Sequence, residues 1–531
     1  MGRRGTVPLP AMALSSRTDP QTDRRGRHRA GWLFVVVTAV MVAGMVLVTT
    51  RLTTSHDWGD DFAGYLLQAR ALADGNAWAE VELNGRLLES SDRRVGPDGY
   101  PWGVPALLSL AARVVGWDVN GLKVLGFASF VLLSAFHLRL LRQAGLGPGA
   151  IAVCGAAVLW QPALLEHVDI IGSDLPFLAV SAVYLSLMVT TLQRHARTRR
   201  LDAAWLGTAA FVAAASFAIR SNGAVLLGTT ILTAAYCLMT GYALTRRQLI
   251  LGVSAFAGAA LAGYLVFFTL LPDGTAIHIA LLVPESARFT RRAQEVVGDM
   301  TQFVPLTWLP DAVDHLVVLA LGPLALVGVW AMGATGLMLG TVLAAHTLLL
   351  LLFPRSDGPR YYFPLLPPLV LLCWFGTLTV WRALAARWPG MDTVRPLAGT
   401  LLPVAFAGAA LLAAVRATGP SEELAHGPLS PSFAELTSAV RRSVTGDQRV
   451  SFFRPRAMRW FSGRQAVAVT QLDHLAQVDA VALYNRLSPE QASYLQPAEA
   501  AILGTGQFAL VFENADFRLY LRRASGRNRQ P

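Results

Sequence analysis

Charged residues are scarce in this 531-residue sequence, at 15% of the total, whereas 53% of the residues are hydrophobic. A soluble domain carries roughly 25% charged residues, so the shortage excludes a chain whose whole surface faces water. Lysine is almost absent, with Lys123 alone, and arginine supplies nearly all of the formal net charge of +11. The arginines stand beside apolar runs, which favours a membrane-orienting role over nucleic-acid binding.

Cysteine is also rare. The three cysteines, Cys154, Cys237 and Cys373, each lie inside an apolar run. Buried cysteine behaves as a small hydrophobic residue, so the sequence predicts neither a disulfide framework nor a zinc site.

Long apolar runs are abundant instead, and about 20 apolar residues span the hydrocarbon core of a bilayer. The run 31–50 follows the polar, arginine-rich residues 1–30. It is too long for a signal-peptide core, so we expect an uncleaved first span. The sequence predicts about eleven spans, at 31–50, 120–141, 149–165, 174–192, 203–219, 223–242, 249–271, 313–332, 335–353, 361–380 and 397–416.

The arginines orient these spans. They cluster in alternate connections, at 139–142, 194–200, 246–247 and 382–395. Cytoplasmic loops carry the excess of arginine, so we expect residues 1–30 in the cytoplasm of a multi-pass plasma-membrane protein. An odd number of spans then leaves residues 417–531 outside the cell.

The predicted fold class is a mostly α, polytopic membrane domain over 31–416 with an external α/β domain over 417–531. Two external loops, 51–119 and 272–312, are long and rich in Trp, Tyr, Asp and Arg, which favours a function. In the external domain, the strand-like runs are 450–453, 466–470, 480–484, 508–512 and 517–521, with helical patterns at about 432–444 and 488–502.

An acidic pair, Asp60 and Asp61, follows the first span. A helical pattern over 61–73 places Asp61, Tyr65 and Gln68 on one face, with the carboxylates at the positive end of the helix. One carboxylate can act as a base while its neighbour orients an acceptor or binds a cation. The alternative is a helix cap followed by an ordinary acidic first turn.

Further candidate residues lie in other external segments. Tyr100 and Trp102 belong to a bent stretch rich in proline and glycine, and an aromatic membrane belt is the alternative explanation. His167, Asp169 and Asp174 precede the fourth span, where ionisable groups are costly unless paired or functional. Helix capping by Asp174 and metal binding by this group are alternatives.

Basic residues stand at the same ends of the spans. They are Arg220 between the fifth and sixth spans, Arg288 in the second long loop, and Arg355 and Arg360 before the tenth span, where Tyr361 follows. Arginine suits phosphate binding. Snorkelling of Arg220, a salt-bridged helix face around Arg288 and belt anchoring near Arg360 are the alternatives.

In order and spacing, these motifs resemble the GT-C superfamily of membrane glycosyltransferases, above all protein O-mannosyltransferases and lipid A aminoarabinose transferases. The matching residues are Asp60-Asp61 with Tyr65, Ala69 and Gly75, then Tyr100-Pro101-Trp102, Ser173 to Pro176, Arg220 with Gly223, and Arg360-Tyr361 with Pro364. The family pair is commonly Asp-Glu, so either aspartate aligns with it, and the spacing to Tyr65 favours Asp61.

The resemblance implies an enzyme on the outer face of the membrane. It would transfer a sugar from a polyprenyl-phosphate donor to a hydroxyl of a lipid, polysaccharide or protein, with inversion. Asp61 or Asp60 would be the base, and Arg220 and Arg360 would stabilise the departing phosphate. The other residues implied to contact substrate are Tyr65, Tyr100, Trp102, His167, Asp169, Asp174, Arg288, Arg355 and Tyr361.

No cofactor is required by these motifs, although Asp60 and Asp174 are candidate ligands for a divalent cation. Two other functions remain open at this point. A transporter or flippase would place polar breaks midway along its spans, whereas the polar residues here gather in external loops. A membrane-anchored scaffold would not need the ordered acidic and basic motifs.

Overall fold

The computed structural model describes most of the chain. The described ranges are 20–92, 95–198, 203–239, 286–303, 311–353, 358–388, 410–416, 422–469, 471–486 and 504–523, with isolated positions at 250, 254, 257–258, 271–272, 407–408 and 500.

The membrane part consists of apolar helices that alternate in direction. Their bounds are α1 Pro20–Thr49, α5 Val119–Leu122, α6 Val124–Gln143, α7 Pro148–Leu159, α8 Pro162–Glu166, α9 Asp174–Thr198, α10 Ala203–Ile219, α11 Ala224–Met239, α13 Asp311–Leu352 and α14 Leu366–Arg387. In this described part, five segments are long and apolar enough to cross a membrane: Gly31–Thr49, Val119–Gln143, Asp174–Thr198, Asp314–Leu352 and Pro359–Arg387.

Helix α13 contains a reversal. Gly333 has φ +56° and ψ −131°, values outside the helical region. A Cβ placed on Gly340 would lie 2.7 Å from Val329 Cγ2, so the segments before and after Gly333 fold back on each other. This break lies between the two spans predicted at 313–332 and 335–353.

Helices α10 and α11 are joined by the 3-10 turn Ser221–Gly223. A Cβ on Gly223 would overlap the backbone of Phe217, so this tight reversal requires glycine. The predicted span 149–165 is interrupted between α7 and α8. Most of the predicted spans 249–271 and 397–416 lies outside the described residues.

Three helices of the long loop 51–119 lie between α1 and α5: α2 Asp60–Ala73, α3 Ala77–Glu89 and α4 Gly103–Val115. Helix α4 buries Leu108 and Ala112 and exposes Leu110 and Val114. This one-sided burial suits a helix that rests an apolar face on the membrane surface.

Residues 422–523, here called the C-terminal unit, contain a five-stranded sheet with the order β2-β1-β3-β5-β4. Strand β1 is parallel to β2 and β3, and β5 is antiparallel to β3 and β4. The elements are β1 Arg449–Ser451, β2 Gln465–Val467, β3 Ala480–Tyr484, β4 Phe508–Glu513 and β5 Phe517–Arg522, with helices α15 Glu422–Ala425, α16 Pro431–Ser443 and α17 Pro455–Ser462 and the 3-10 turn Leu472–Gln477. The five strands and α16 match the predicted segments closely.

A tryptophan from the long loop 51–119 completes the core of the C-terminal unit. Trp58 is 1% exposed and packs against the rings of Phe433 and Phe453 at centroid distances of 5.0 and 5.2 Å. Its indole N–H donates to the carbonyl oxygen of His426 at 2.9 Å. This loop and the C-terminal unit therefore pack against each other at this point.

A polar contact, here called the seam, joins α2 and α3 to α17. Arg459 donates to both carboxylate oxygens of Glu80, at 3.0 and 2.8 Å, and to Asn84 at 3.3 Å. The backbone N–H groups of Arg456 and Ala457 donate to Asp60 Oδ1 at 3.0 and 3.2 Å. These bonds satisfy N–H groups that the first turn of a helix leaves unpaired.

Candidate active site

A cavity of about 210 Å³ opens where several membrane helices end. It is bounded by the residues before and within the start of α2, by the start of α9, and by the ends of α10 and α13. These ends meet because the spans alternate in direction. Motifs that are far apart in the sequence therefore face one space.

Asp61 forms the acidic wall of this cavity. Its Oδ1 accepts a hydrogen bond from the hydroxyl of Tyr100 at 2.6 Å, and its Oδ2 lies 3.5 Å from Arg360 Nη1. The side chain of Asp61 is 40% exposed. A partly exposed carboxylate of this kind, held in place by a tyrosine and an arginine, can accept a proton from a bound hydroxyl.

Two tyrosines support this wall. The rings of Tyr65 and Tyr100 lie 4.4 Å apart, and both are buried. Burial raises the pKa of each tyrosine above its ordinary value, and the negative charge of Asp61 acts in the same direction. Both hydroxyls therefore stay protonated at neutral pH and act as hydrogen-bond donors.

Arg220 and Asp174 form an ion pair on the opposite wall. Arg220 Nη1 also donates to the hydroxyl of Ser173 at 3.3 Å. The two charged side chains are 15% and 8% exposed. Asp174 occupies the first position of α9, so it combines the favourable placement of a carboxylate at a helix N-terminus with a contact to the cavity.

Tyr361 lies between two guanidinium groups. Arg220 Cζ is 4.9 Å and Arg360 Cζ is 5.4 Å from the centre of its ring. The 3-10 turn Pro359–Leu365, which leads into α14, presents Arg360 and Tyr361 to the cavity. Cation–π contacts hold both arginines near one another despite their like charge.

The rest of the cavity wall is mainly apolar. It includes Phe62, Ile171, Phe217, Ile219, Leu349, Leu350 and Phe353. The cavity therefore combines a charged end, where Asp61 and the two arginines lie, with a surface suited to hydrocarbon.

His56 and Asp57 were not among the residues selected from the sequence. Asp57 lines the cavity, and His56 is buried behind it. His56 Nε2 accepts the backbone N–H of Ile171 at 3.1 Å, which places the ring proton on Nδ1, 2.8 Å from Asp57 Oδ1. Burial alone raises the pKa of Asp57, but the contact with His56, the charge of His167 and the backbone N–H of Gly59 together hold this pKa below its ordinary value.

Asp60, by contrast, does not line the cavity. It is 3% exposed and faces α17, with its Oδ2 4.0 Å from Arg456 Nη1. Burial raises the pKa of Asp60, and the charge of Arg456 opposes this effect. Of the two adjacent aspartates, Asp61 alone has its side chain in the cavity.

Three other sequence-selected residues lie outside the cavity wall. Trp102 is buried and donates its indole N–H to the carbonyl oxygen of Pro272 at 2.8 Å. His167 packs edge-on against Phe363, with 4.9 Å between the ring centres. Asp169 accepts a hydrogen bond from Lys123 Nζ at 2.8 Å, so the single lysine of the chain neutralises it. These contacts explain the three residues by packing and charge pairing.

The side chains of Arg288 and Arg355 lie outside the described residues. Near Arg288, on helix α12 Ser286–Thr301, Arg292 pairs with Glu295 and donates to the carbonyl oxygen of Leu350 at 3.2 Å. The contacts of Arg292 therefore favour a salt-bridged helix face over an open phosphate-binding site.

The two candidate cation ligands do not share a site. Asp60 faces the seam and Asp174 pairs with Arg220 at the cavity wall. Within the part of the chain that the structure describes, no group of three or more His, Cys, Asp or Glu side chains is placed to hold a metal ion.

Comparison with solved structures gives matches over nearly the whole chain. ArnT from Cupriavidus metallidurans in the apo state matches with a TM-score of 0.55 and 16% identity, over 93% of this chain and 98% of that chain. The structure of ArnT bound to undecaprenyl phosphate matches with a TM-score of 0.54 over the same shares. The oligosaccharyltransferase of Archaeoglobus fulgidus in the apo form matches with a TM-score of 0.54 and 11% identity, over 93% and 75%.

No protein-family model and no curated protein matches the sequence. The likeness is therefore one of fold, and it agrees with the resemblance carried by the sequence motifs. The matched structures are GT-C glycosyltransferases. With its apolar spanning helices, this chain is a multi-pass membrane protein with the GT-C fold.

Proposed function

We propose that this protein is a glycosyltransferase that moves a sugar from a polyprenyl-phosphate donor to an acceptor hydroxyl, with inversion, at the outer face of the membrane. The observation that carries the proposal is the meeting of Asp61, Asp174, Arg220 and Arg360 around one cavity beside the ends of the spans. A lipid-phosphate sugar needs a carboxylate near the sugar and cations at the depth of the headgroup.

Asp61 is the proposed base. The acceptor hydroxyl gives its proton to Asp61 Oδ2 while its oxygen attacks the anomeric carbon. The bond between that carbon and the phosphate oxygen breaks, and polyprenyl phosphate leaves with the electron pair. A single displacement of this kind inverts the configuration of the sugar.

Arg360 is the proposed partner of the departing phosphate. Its guanidinium lies next to Asp61 and is partly exposed, at 29%, so an incoming phosphate can reach it. Arg220 adds positive charge from behind Tyr361, while Asp174 keeps Arg220 in place. Charge-assisted hydrogen bonds from arginine to phosphate are strong and directional.

The apolar wall formed by Phe217, Leu349 and Phe353 suits the first isoprene units of the donor. The undecaprenyl phosphate bound to ArnT supports a donor of this class. The arginine-rich connections at the opposite ends of the helices support an external site, a cytoplasmic N-terminus and an external C-terminal unit.

A transporter is the rival function. It would be expected to bind its solute near the bilayer midplane at broken helices. The charged residues here stand at helix ends, which favours catalysis at a surface.

Transfer of radiolabel tests the proposal. The purified protein in lipid nanodiscs is given undecaprenyl-phosphate hexoses and pentoses, each labelled in the sugar, with membrane extracts as the acceptor source. We expect label to leave at least one donor, and Asp61→Asn to abolish the transfer while the variant unfolds at the wild-type temperature.

The rival is tested with the same labelled donors after the protein is reconstituted into sealed lipid vesicles. Label that crosses the membrane of a sealed vesicle and stays on its original carrier would indicate transport. If neither transfer nor movement occurs with any donor, or if Asp61→Asn is fully active, the proposed function and its base are wrong.

A further inference from the structure

Resting on the proposed function, we infer that Arg456 of the C-terminal unit is a positioning residue of the active site, acting on Asp61 through Tyr100. Arg456 itself does not line the cavity. It reaches the wall of the site from behind, across the seam.

The contact is a continuous chain of hydrogen bonds. Arg456 Nη1 donates to the hydroxyl oxygen of Tyr100 at 2.7 Å, and that hydroxyl donates to Asp61 Oδ1 at 2.6 Å. The guanidinium carbon also lies 5.1 Å from the centre of the Tyr100 ring. The C-terminal unit is thus connected to the proposed base by one intervening side chain.

The direction of these bonds is forced by chemistry. Arginine can only donate, and a tyrosine hydroxyl has a single hydrogen. Because Arg456 occupies the Tyr100 oxygen as a donor, the Tyr100 hydrogen is left for Asp61. Arg456 therefore keeps Tyr100 as a donor to the Asp61 carboxylate, which leaves Oδ2 of Asp61 on the cavity side.

Arg456 is itself tightly held. It is 2% exposed, and its Nη1 also donates to the carbonyl oxygen of Val95. Its other two nitrogens donate to the carbonyl oxygen of Pro97 and to Asn84 Oδ1. A Cβ on Gly64 would lie 2.5 Å from Tyr100 Cε2, and a Cβ on Gly96 would overlap Arg456 Nη1. Two glycines thus make room for this contact.

Among the described residues, the charged and titratable groups near Asp61 include Asp60 and Tyr65 on its own helix, Tyr100 in the following loop, Arg360 before α14, and Arg456 on α17. Asp57, Asp174 and Arg220 line the same cavity. Removal of Arg456 takes away a cation and frees the Tyr100 hydroxyl to turn. Both changes weaken the ionised form of Asp61, which must be present for it to act as a base.

The test compares two arginines of α17 that face the same seam. Arg456→Met is expected to lower kcat/KM for labelled donor by about tenfold, the scale of a hydrogen bond to a charged group. It is also expected to move the acidic limb of the pH profile to higher pH. Arg456→Lys, which keeps a donor, is expected to restore much of both.

Arg459→Met is the matched control. Arg459 is also buried, also bonds to Asn84 and also joins the C-terminal unit to α3, but it does not contact Tyr100. We expect Arg459→Met to lower the unfolding temperature and to leave the acidic limb in place. If the two variants have the same effect on kcat/KM and neither moves the limb, Arg456 only holds the seam together and the inference is overturned.

Tyr100→Phe gives a second test. It should move the acidic limb in the same direction as Arg456→Met, and the double variant should show no further movement, because the two residues act in one chain. Additive movement would overturn the inference.

A readout without turnover separates this inference from the proposed function. The unfolding temperatures of Arg456→Met, Tyr100→Phe and the double variant form a double-mutant cycle. Non-additive changes support the contact even if the wild type transfers no sugar, and additive changes overturn it whatever the activity. A wild type that is active while the Arg456 variants keep a normal pH profile overturns this inference alone.

Discussion

Asp60 and Asp61 are neighbours in the chain, but they serve two regions of the molecule, the seam and the cavity. Asp61 is 40% exposed and faces the cavity with Tyr100 and Arg360. Asp60 is 3% exposed and accepts two backbone N–H groups of α17. Successive helical residues point about 100° apart, so an adjacent acidic pair can be divided between chemistry and packing.

The arginines of the two regions differ in the same way. Arg360 at the cavity is 29% exposed, whereas Arg456 in the seam is 2% exposed and bonded to several acceptors. A cation that meets an incoming phosphate must keep part of its surface open. A buried cation is stable only when its donors are satisfied. Exposure therefore separates Arg360, the proposed partner of the donor phosphate, from Arg456, which joins the C-terminal unit to the loop 51–119.

The largest expected effect contrasts the two aspartates. Asp61→Asn should lower the initial rate of sugar transfer by about 10²- to 10⁴-fold, because general-base catalysis is lost. Asp60→Asn should keep the rate within about threefold, because an amide oxygen still accepts the two N–H bonds at the seam. Equal losses in both variants would contradict the division between cavity and seam.

The second expected effect contrasts two arginines. Arg360→Met should weaken the binding of undecaprenyl phosphate by about tenfold or more, the scale of a charged hydrogen bond. The control is Arg70→Met, because Arg70 lies over Trp117 and Trp460 next to the seam. Titration of the lipid phosphate into protein in nanodiscs measures both, and equal affinities would remove Arg360 from the headgroup site.

The third expected effect concerns two glycines. In Gly64→Ala the new methyl group meets Tyr100 Cε2 at 2.5 Å, whereas at Gly228 there is no atom within 4 Å. Overpacking typically costs about 1–3 kcal/mol, so Gly64→Ala should unfold at a lower temperature. Gly228→Ala should match or exceed the wild type, because alanine favours helix. Thermal unfolding of both variants measures this difference. Unchanged stability of Gly64→Ala would show that the packing behind Tyr100 is loose.

The smallest expected effect is a pH dependence of stability. Burial raises the pKa of Asp60 in the folded protein, so the unfolded state releases this proton at lower pH than the folded state does. Stability from Asp60 is therefore complete below its unfolded pKa and falls as the pH rises through its folded pKa. The Asp60→Asn variant does not lose stability in this way, because asparagine does not titrate. The unfolding temperature of the variant should therefore increase relative to that of the wild type as the pH rises from about 4 to about 8. A constant difference would mean that Asp60 has the same pKa in both states.

Several members of the cavity could be selected from the sequence because they stand at the ends of apolar runs. Asp174, Arg220 and Arg360 lie where an apolar helix begins or ends, and Asp61 lies at the start of α2. Asp169 occupies a similar position, but the partner that neutralises it, Lys123, lies 46 residues away. Local pattern identifies boundary residues and does not tell which of them are paired elsewhere.

The sequence pattern was not interpreted as a helix at α17, although local residues favour its two ends. Pro455 stands at its first position and Gly463, with φ +68°, ends it, the residues that favour these two positions. By contrast, no local sequence signal indicates that α17 contacts α2 and α3 in the seam. Arg456 and Tyr100 are 356 residues apart, and no periodicity relates them.

The sequence by itself predicted apolar helices, five of which are long enough to cross a membrane in the part of the chain that the structure describes, and the strands of the C-terminal unit. Each membrane segment must bury its own apolar surface and satisfy its own backbone hydrogen bonds. Its local sequence therefore carries the signal. The tertiary structure alone decided that Asp61 and not Asp60 faces the cavity, that Trp58 fills the core of the C-terminal unit, and that Arg456 stands behind Tyr100. These outcomes depend on how helices rotate and pack against distant partners, and side-chain contacts of that range carry no signal in local composition.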